Sequence, residues 1–137
     1  MTAQTQQEMI QHLQRGSEFR RLGEWSQAIH HLSIAIKISP NNFVGYVLRA
    51  LAFNGAGNCT GEKACFEMAV SDLDMAISIG FDDRTTLAEA FHNRACILTD
   101  DLEQHQRAIV DFNRAEQLDA GHAGVEAGRQ RAMARLG

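Results

Sequence analysis

The sequence predicts an all-α protein: a stack of antiparallel helix pairs, about seven helices in all. Three observations carry that prediction. Only one proline, Pro40, stands among 137 residues, and alternating apolar and polar runs are scarce, which argues against sheet. Apolar residues recur instead at three- and four-residue spacing, the period of one helix face. Finally, one pattern of small and apolar residues returns three times along the chain. Self-similarity at such a period marks a helical solenoid, in which neighbouring units bury each other's apolar faces.

The first helix is expected from about Thr5, with Met9, Leu13 and Phe19 recurring along it and Gly23 ending it. A second follows at once, Trp25 to Ile38, with Ala28, Ile29, Leu32, Ala35 and Ile36 on one face. Ser39-Pro40-Asn41-Asn42 stops it, because proline disfavours helix in the residue before it and has no N–H to donate. A tight turn between two helices makes an antiparallel hairpin.

The next segment repeats this plan. Gly16, Phe19 and Gly23 recur 34 residues on as Ala50, Phe53 and Gly57. The second-helix residues Ala28, Leu32, Ala35 and Ile36 recur 41 residues on as Ala69, Leu73, Ala76 and Ile77. A seven-residue insertion between the paired helices, within 58–68, accounts for the difference. Its Gly, Asn and Thr content is expected to form a loop, with the helix stopping near Gly57 and Thr60 capping the next. A third copy has Ala95 and Leu98, then Ala108, Phe112 and Ala115. Small residues fall where two helices must approach closely, and a larger residue four on fills the gap. The repeats are therefore expected at about 9–42, 43–83 and 84–122 of a single domain spanning 1–137. The tail, 123–136, is expected to cap the stack as a final helix, with Val125, Ala132, Met133 and Leu136 on one side. Arg129, Arg131 and Arg135 lie toward its C-terminal end, where positive charge is favoured.

These residues resemble the tetratricopeptide repeat family. The first copy reads Gly16, Phe19, Ala28, Leu32, Ala35 and Pro40; the second Tyr46, Ala50, Phe53, Ala69, Leu73 and Ala76; the third Phe91, Ala95, Leu98, Ala108, Phe112 and Ala115. His12 replaces the usual aromatic of the first copy, and Phe81 and Ala120 replace the closing proline of the others. Arg15, Arg49 and Arg94 share one slot, where the family often has leucine. The resemblance covers about Met9 to His122 and implies a right-handed superhelix whose first helices line a concave, partner-binding face. That lining would comprise Ile10, Leu13, Gln14, Ser17, Arg20 and Arg21 in the first helix. In the third helix it would be Val44, Val47, Leu48, Leu51 and Asn54, and in the fifth Glu89, His92, Asn93, Cys96 and Thr99. Val47, Leu48 and Leu51 are expected to be free of any core role, so an apolar strip there reads as an interaction site for a partner helix or extended peptide.

Many relatives hold the C-terminal carboxylate of heat-shock chaperones with Lys, Asn and Arg. The matching positions here are Leu13, Ser17, Leu48, Glu89 and Asn93, which lack every basic residue of that clamp, so chaperone-tail binding is not expected. The alternatives are a homodimerising scaffold, in which a second copy covers the strip, and a small chaperone for an unstable client protein.

Composition excludes other classes. A net charge of −4 offers no basic stripe for phosphates, so nucleic acid is not expected. The longest low-charge run is broken by Arg49 and is too short for a bilayer, so no membrane partner is expected. The N-terminus has neither a basic start nor an apolar core, and the three cysteines (Cys59, Cys65, Cys96) are an odd number. Reduced thiols in a cytoplasmic protein follow. The glycine-rich run Gly55–Lys63 is not a phosphate cradle: Glu62 separates Gly61 from Lys63 and no strand precedes it. Glu89, His92 and Cys96 share a helix face, yet no second pair of metal ligands is evident, so neither metal nor cofactor is expected. His30 and His31 are adjacent and point apart. No nucleophile–base grouping stands out, and the protein is not expected to be an enzyme.

Overall fold

A computed structural model of the chain describes residues 2–137 and shows seven α-helices and no strand among them. They are α1 (Ala3–Arg21), α2 (Trp25–Ile38), α3 (Phe43–Thr60), α4 (Lys63–Ile79), α5 (Arg84–Asp100), α6 (His105–Leu118) and α7 (Val125–Leu136). Contacts divide the chain into two compact units, 1–79 with α1 to α4 and 80–137 with α5 to α7.

Each odd helix of the three pairs starts at a side-chain cap. Thr2 accepts from the Thr5 N–H at 3.1 Å, Asn42 from Val44 at 2.9 Å and Asp83 from Thr85 at 3.1 Å, satisfying donors that have no partner within the helix. Gly23 takes the left-handed conformation (φ 75°) that turns α1 into α2.

In the first unit, Ala28, Leu32, Ala35, Ala50, Ala52, Ala69, Leu73 and Ala76 are buried. The small residues permit the close approach. A methyl group on Gly16 would lie 2.5 Å from Cγ of Leu32, and one on Gly55 would lie 2.4 Å from the Trp25 ring. The latter contact also shows what the glycine-rich run does: Gly55 and Gly57 sit inside α3 against Trp25 and Phe66.

The expected loop after Gly57 is corrected here. The insertion is absorbed as helix: α3 continues to Thr60, ends at left-handed Gly61 (φ 74°), and only Gly61 and Glu62 separate it from α4. Ala56, Gly57 and Phe66 are buried, so the extended ends of the pair have their own contact to hold them helical. Thr60 is the last residue of α3, and its hydroxyl accepts from the Glu62 N–H at 3.2 Å while donating to the Ala56 carbonyl.

The second unit is built around Ala88, Ala95, Leu98, Ala108, Phe112 and Ala115. Helix α7 covers α6 with Val125, Gly128 and Ala132; a methyl on Gly128 would meet Phe112 at 2.4 Å. Met133 and Leu136, expected on the covered side, are instead 52% and 53% exposed. Its cations add polar contacts to that apolar face. Arg129 bonds Asn113 and Glu116 at 3.0 and 2.8 Å, and Arg131 and Arg135 both reach Asp100 at 3.1 Å.

Candidate functional site

The residues expected to form the partner surface fall into two groups, one in each unit. In the first, Ile10 and Val44 hold equivalent places on α1 and α3 and are 43% and 36% exposed. Val44, Val47, Leu48 and Leu51 follow three- and four-residue spacing, so they share one face of α3. Val47 and Leu51 are half-buried. Leu13 and Leu48 have a second role: both pack against the buried cluster of Ala28, Leu32 and Ala52. The expectation that Leu48 has no core obligation is therefore corrected, because its side chain packs against a cluster of α2 and α3 residues. Of the polar members, Gln14 is exposed, and Ser17, Arg20 and Asn54 are half-buried. Nε of Arg20 is buried without a hydrogen-bond partner.

In the second unit the α5 residues turn toward each other. Sγ of Cys96 lies 3.5 Å from Nε2 of His92. The His92 ring meets the edge of Phe112 and lies 4.6 Å, centroid to centroid, from the ring of His122. His122 comes from the turn between α6 and α7, and its Nε2 is bonded to the Glu89 carboxylate. Glu89, His92 and Cys96 thus form one cluster with His122, a residue absent from the sequence-based set; Asn93 stands beside them, half-buried. Thr99, at the end of the same helix, is buried and bonded to His105.

Environment separates the two rings. Burial, reinforced by the neighbouring His122, lowers the His92 pKa and keeps that imidazole neutral. Burial acts on His122 in the same sense, but the hydrogen bond and charge of Glu89 outweigh it and raise its pKa. Burial also pushes the Cys96 thiol up, with Asp100 adding to the effect.

The shared arginine slot has a structural explanation. Arg49 grips Asp72 of α4 through Nε and Nη2 at 2.8 and 2.7 Å, and donates to Ser33 of α2 at 3.1 Å. Arg94 grips Asp111 of α6 in the same two-pronged way, at 2.7 and 2.8 Å. The place of these aspartates in the first pair belongs to His31, which stacks on His12 and Phe19; Nδ1 of His12 and of His31 are 3.0 Å apart. Asp72 and Asp111 were legible in principle, since they stand at the same offset between second helices that relates Leu73 to Phe112.

No protein-family model matches the chain, and no curated protein sequence matches it. Solved structures do. The first tetratricopeptide repeat domain of Spaghetti (RPAP3), bound to the HSP90 peptide SRMEEVD, is 19% identical with a TM-score of 0.81, covering 95% of this chain and 94% of that one. The Arabidopsis OM64 tetratricopeptide domain is 22% identical with a TM-score of 0.80, covering 95% and 98%. The second such domain of human RPAP3, in complex with the HSP70 peptide SGPTIEEVD, is 22% identical with a TM-score of 0.79, covering 94% and 98%. With sequences this far apart, the likeness is one of fold, and it agrees with the repeats read from the residues. The chain has the tetratricopeptide repeat fold, an all-helical solenoid of three helix pairs and a seventh helix.

Proposed function

We propose that this chain is a non-catalytic protein-interaction module whose α1–α3 face receives the apolar side chains of a partner's amphipathic helix or extended segment. The observation that carries the proposal is the exposure of Ile10 and Val44 at equivalent positions, beside half-buried Val47 and Leu51. Aliphatic residues at repeat-equivalent positions on neighbouring helices make a continuous strip, the form of surface that a partner helix covers. Domains of the same fold hold peptides from HSP90 and HSP70. This chain is suited to a different segment: Leu13, Ser17, Leu48, Glu89 and Asn93 stand where the clamp for a terminal carboxylate would need its Lys, Asn and Arg residues, none of its cations is present, and Glu89 repels an acidic tail.

Val44→Asp is the informative substitution, because Val44 lies outside the buried cluster that engages Leu48. Burying one such side chain contributes roughly 1.5–3 kcal/mol, so the charge is expected to weaken partner binding at least about 10- to 100-fold. The measurement is crosslinked capture from cells followed by affinity for the captured protein, with circular dichroism confirming unchanged helicity. Equal affinity of wild type and Val44→Asp for that protein would remove this face from consideration. The peptide SRMEEVD is expected to show no binding by titration calorimetry, and tight binding would overturn the choice of ligand. Sedimentation across a concentration range tests the homodimer: a dimer that Val44→Asp dissociates would make a second copy the occupant.

A further inference from the structure

We propose that Glu89, His92, Cys96 and His122 form a zinc site that ties α5 to the turn between α6 and α7. Three of the four stand at i, i+3 and i+7 on one face of α5, and the fourth is brought to them by the turn that precedes α7. One ligand atom from each of Glu89, His92 and His122 lies within 4.8 Å of the other two. Cys96 adds a thiol 3.5 Å from Nε2 of His92. In a tetrahedral site with Zn–S near 2.3 Å and Zn–N near 2.0–2.1 Å, sulfur and nitrogen stand about 3.5 Å apart. The sulfur-to-imidazole separation is thus that of a zinc tetrahedron; Cys96 lies outside the group formed by Glu89, His92 and His122, so its thiol would close on the other two donors by side-chain rotation as the ion binds.

The donor chemistry fits as well. A carboxylate, a thiolate and two neutral imidazoles carry two negative charges, which a divalent ion cancels. Imidazole and thiolate together select zinc over the hard cations that prefer oxygen. The side chain of His122 is only 10% exposed, whereas that of Glu89 is 53% exposed and leaves a path of entry. Each ring is engaged through Nε2, His92 with Cys96 and His122 with Glu89, while the Nδ1 of each is buried without a hydrogen-bond partner. When zinc binds, the Cys96 thiol loses its proton to solvent and the His122 imidazole releases the proton it shares with Glu89; no other co-reactant is required.

The test uses the full chain, stripped of metal by a chelator, kept reduced, and titrated with Zn2+ against a chromophoric competitor and with Co2+ in the spectrometer. The expected result is one equivalent bound, with a thiolate-to-cobalt charge-transfer band and the strong visible bands of tetrahedral cobalt. Cys96→Ser should abolish the charge-transfer band. Glu89→Gln and His122→Gln should weaken zinc by more than the roughly 10- to 100-fold that an outer-shell partner contributes. Glu89 is exposed, so Glu89→Gln keeps the test sound where a buried substitution perturbs folding. His12→Ala, at the other histidine pair, should leave binding unchanged. Zinc should raise the melting midpoint of the wild type and not that of Cys96→Ser. Failure to bind one equivalent at micromolar zinc, a cobalt complex without the thiolate band, or wild-type affinity in Glu89→Gln and His122→Gln would each overturn the site.

Discussion

Arg49 shows how much a single position can be asked to hold. Its guanidinium spans three helices, bonded to Asp72 and Ser33 and lying 6.0 Å and 5.9 Å from the ring centres of Tyr46 and Phe53. The side chains of Arg49 and Asp72 are 19% and 3% exposed, and the hydrogen bonds to Asp72 raise the Arg49 pKa, keeping it charged. Removing one partner strands the other in a place that water hardly reaches. Arg49→Ala is therefore expected to destabilise the fold by about 3–5 kcal/mol, whereas Arg49→Leu with Asp72→Leu should recover most of that loss. Urea unfolding of the three variants checks both statements; equal destabilisation by the single and double variants would assign the cost to lost packing. The partners of these arginines illustrate what residue-level reading overlooks. The arginine slot was visible, but a charged side chain at an apolar position has meaning only once its counter-charge is found on another helix.

At the scale of the element, each odd helix of the three pairs owes its start to one polar side chain. Asp83 opens α5 by accepting from the Thr85 N–H and the Thr86 hydroxyl, and those bonds, the hydroxyl's first, lower its pKa. A carboxylate whose folded pKa lies below its unfolded value of about 3.9 stabilises the protein above that value. The contribution disappears as pH falls through the depressed folded value. Asp83→Asn keeps an acceptor without a titrating group, so its stability is expected to depend less on pH below about 4 than that of the wild type. Asp83→Ala should lower the melting midpoint at pH 7 and approach the wild type at the acid end. Thermal melts between pH 2 and 7 supply the comparison. Other helix ends misled the sequence reading: the run after Gly57 looked like a loop because Gly, Asn and Thr are weak helix formers. In place, Gly57 sits against the Phe66 ring and the helix runs on to Gly61. Tertiary contact overrode local propensity.

At the scale of the whole molecule, a solenoid has ends, and an end must be covered. In the second unit α7 does so, placing Val125 and Ala132 over α6 and pressing Gly128 against Phe112. A chain ending at residue 123 would expose Phe112, which is fully buried in the intact protein. Uncovering one large side chain costs roughly 1.5–3 kcal/mol, to which the lost Arg129 and Arg131 contacts add. The shortened chain is expected to unfold at lower denaturant and to bind a hydrophobic dye. An unchanged denaturation midpoint would show that α7 contributes no cover. No helix among the described residues is long and apolar enough to cross a membrane.

What the sequence determined by itself is the periodic part of this protein. Helix-period apolar residues fix the class, and the recurrence of small residues at Gly16, Ala50 and Ala95 sets the pairing, because close helix approach tolerates little else. The tertiary structure alone decided which side chains meet across elements. It packed Leu48 against the core, left Met133 and Leu136 in solvent, and brought His122 to Glu89 and His92. Periodicity specifies which face of a helix is apolar. It carries no information about the path of a turn, and the path of the α6–α7 turn is what sets His122 beside Glu89 and His92 of α5.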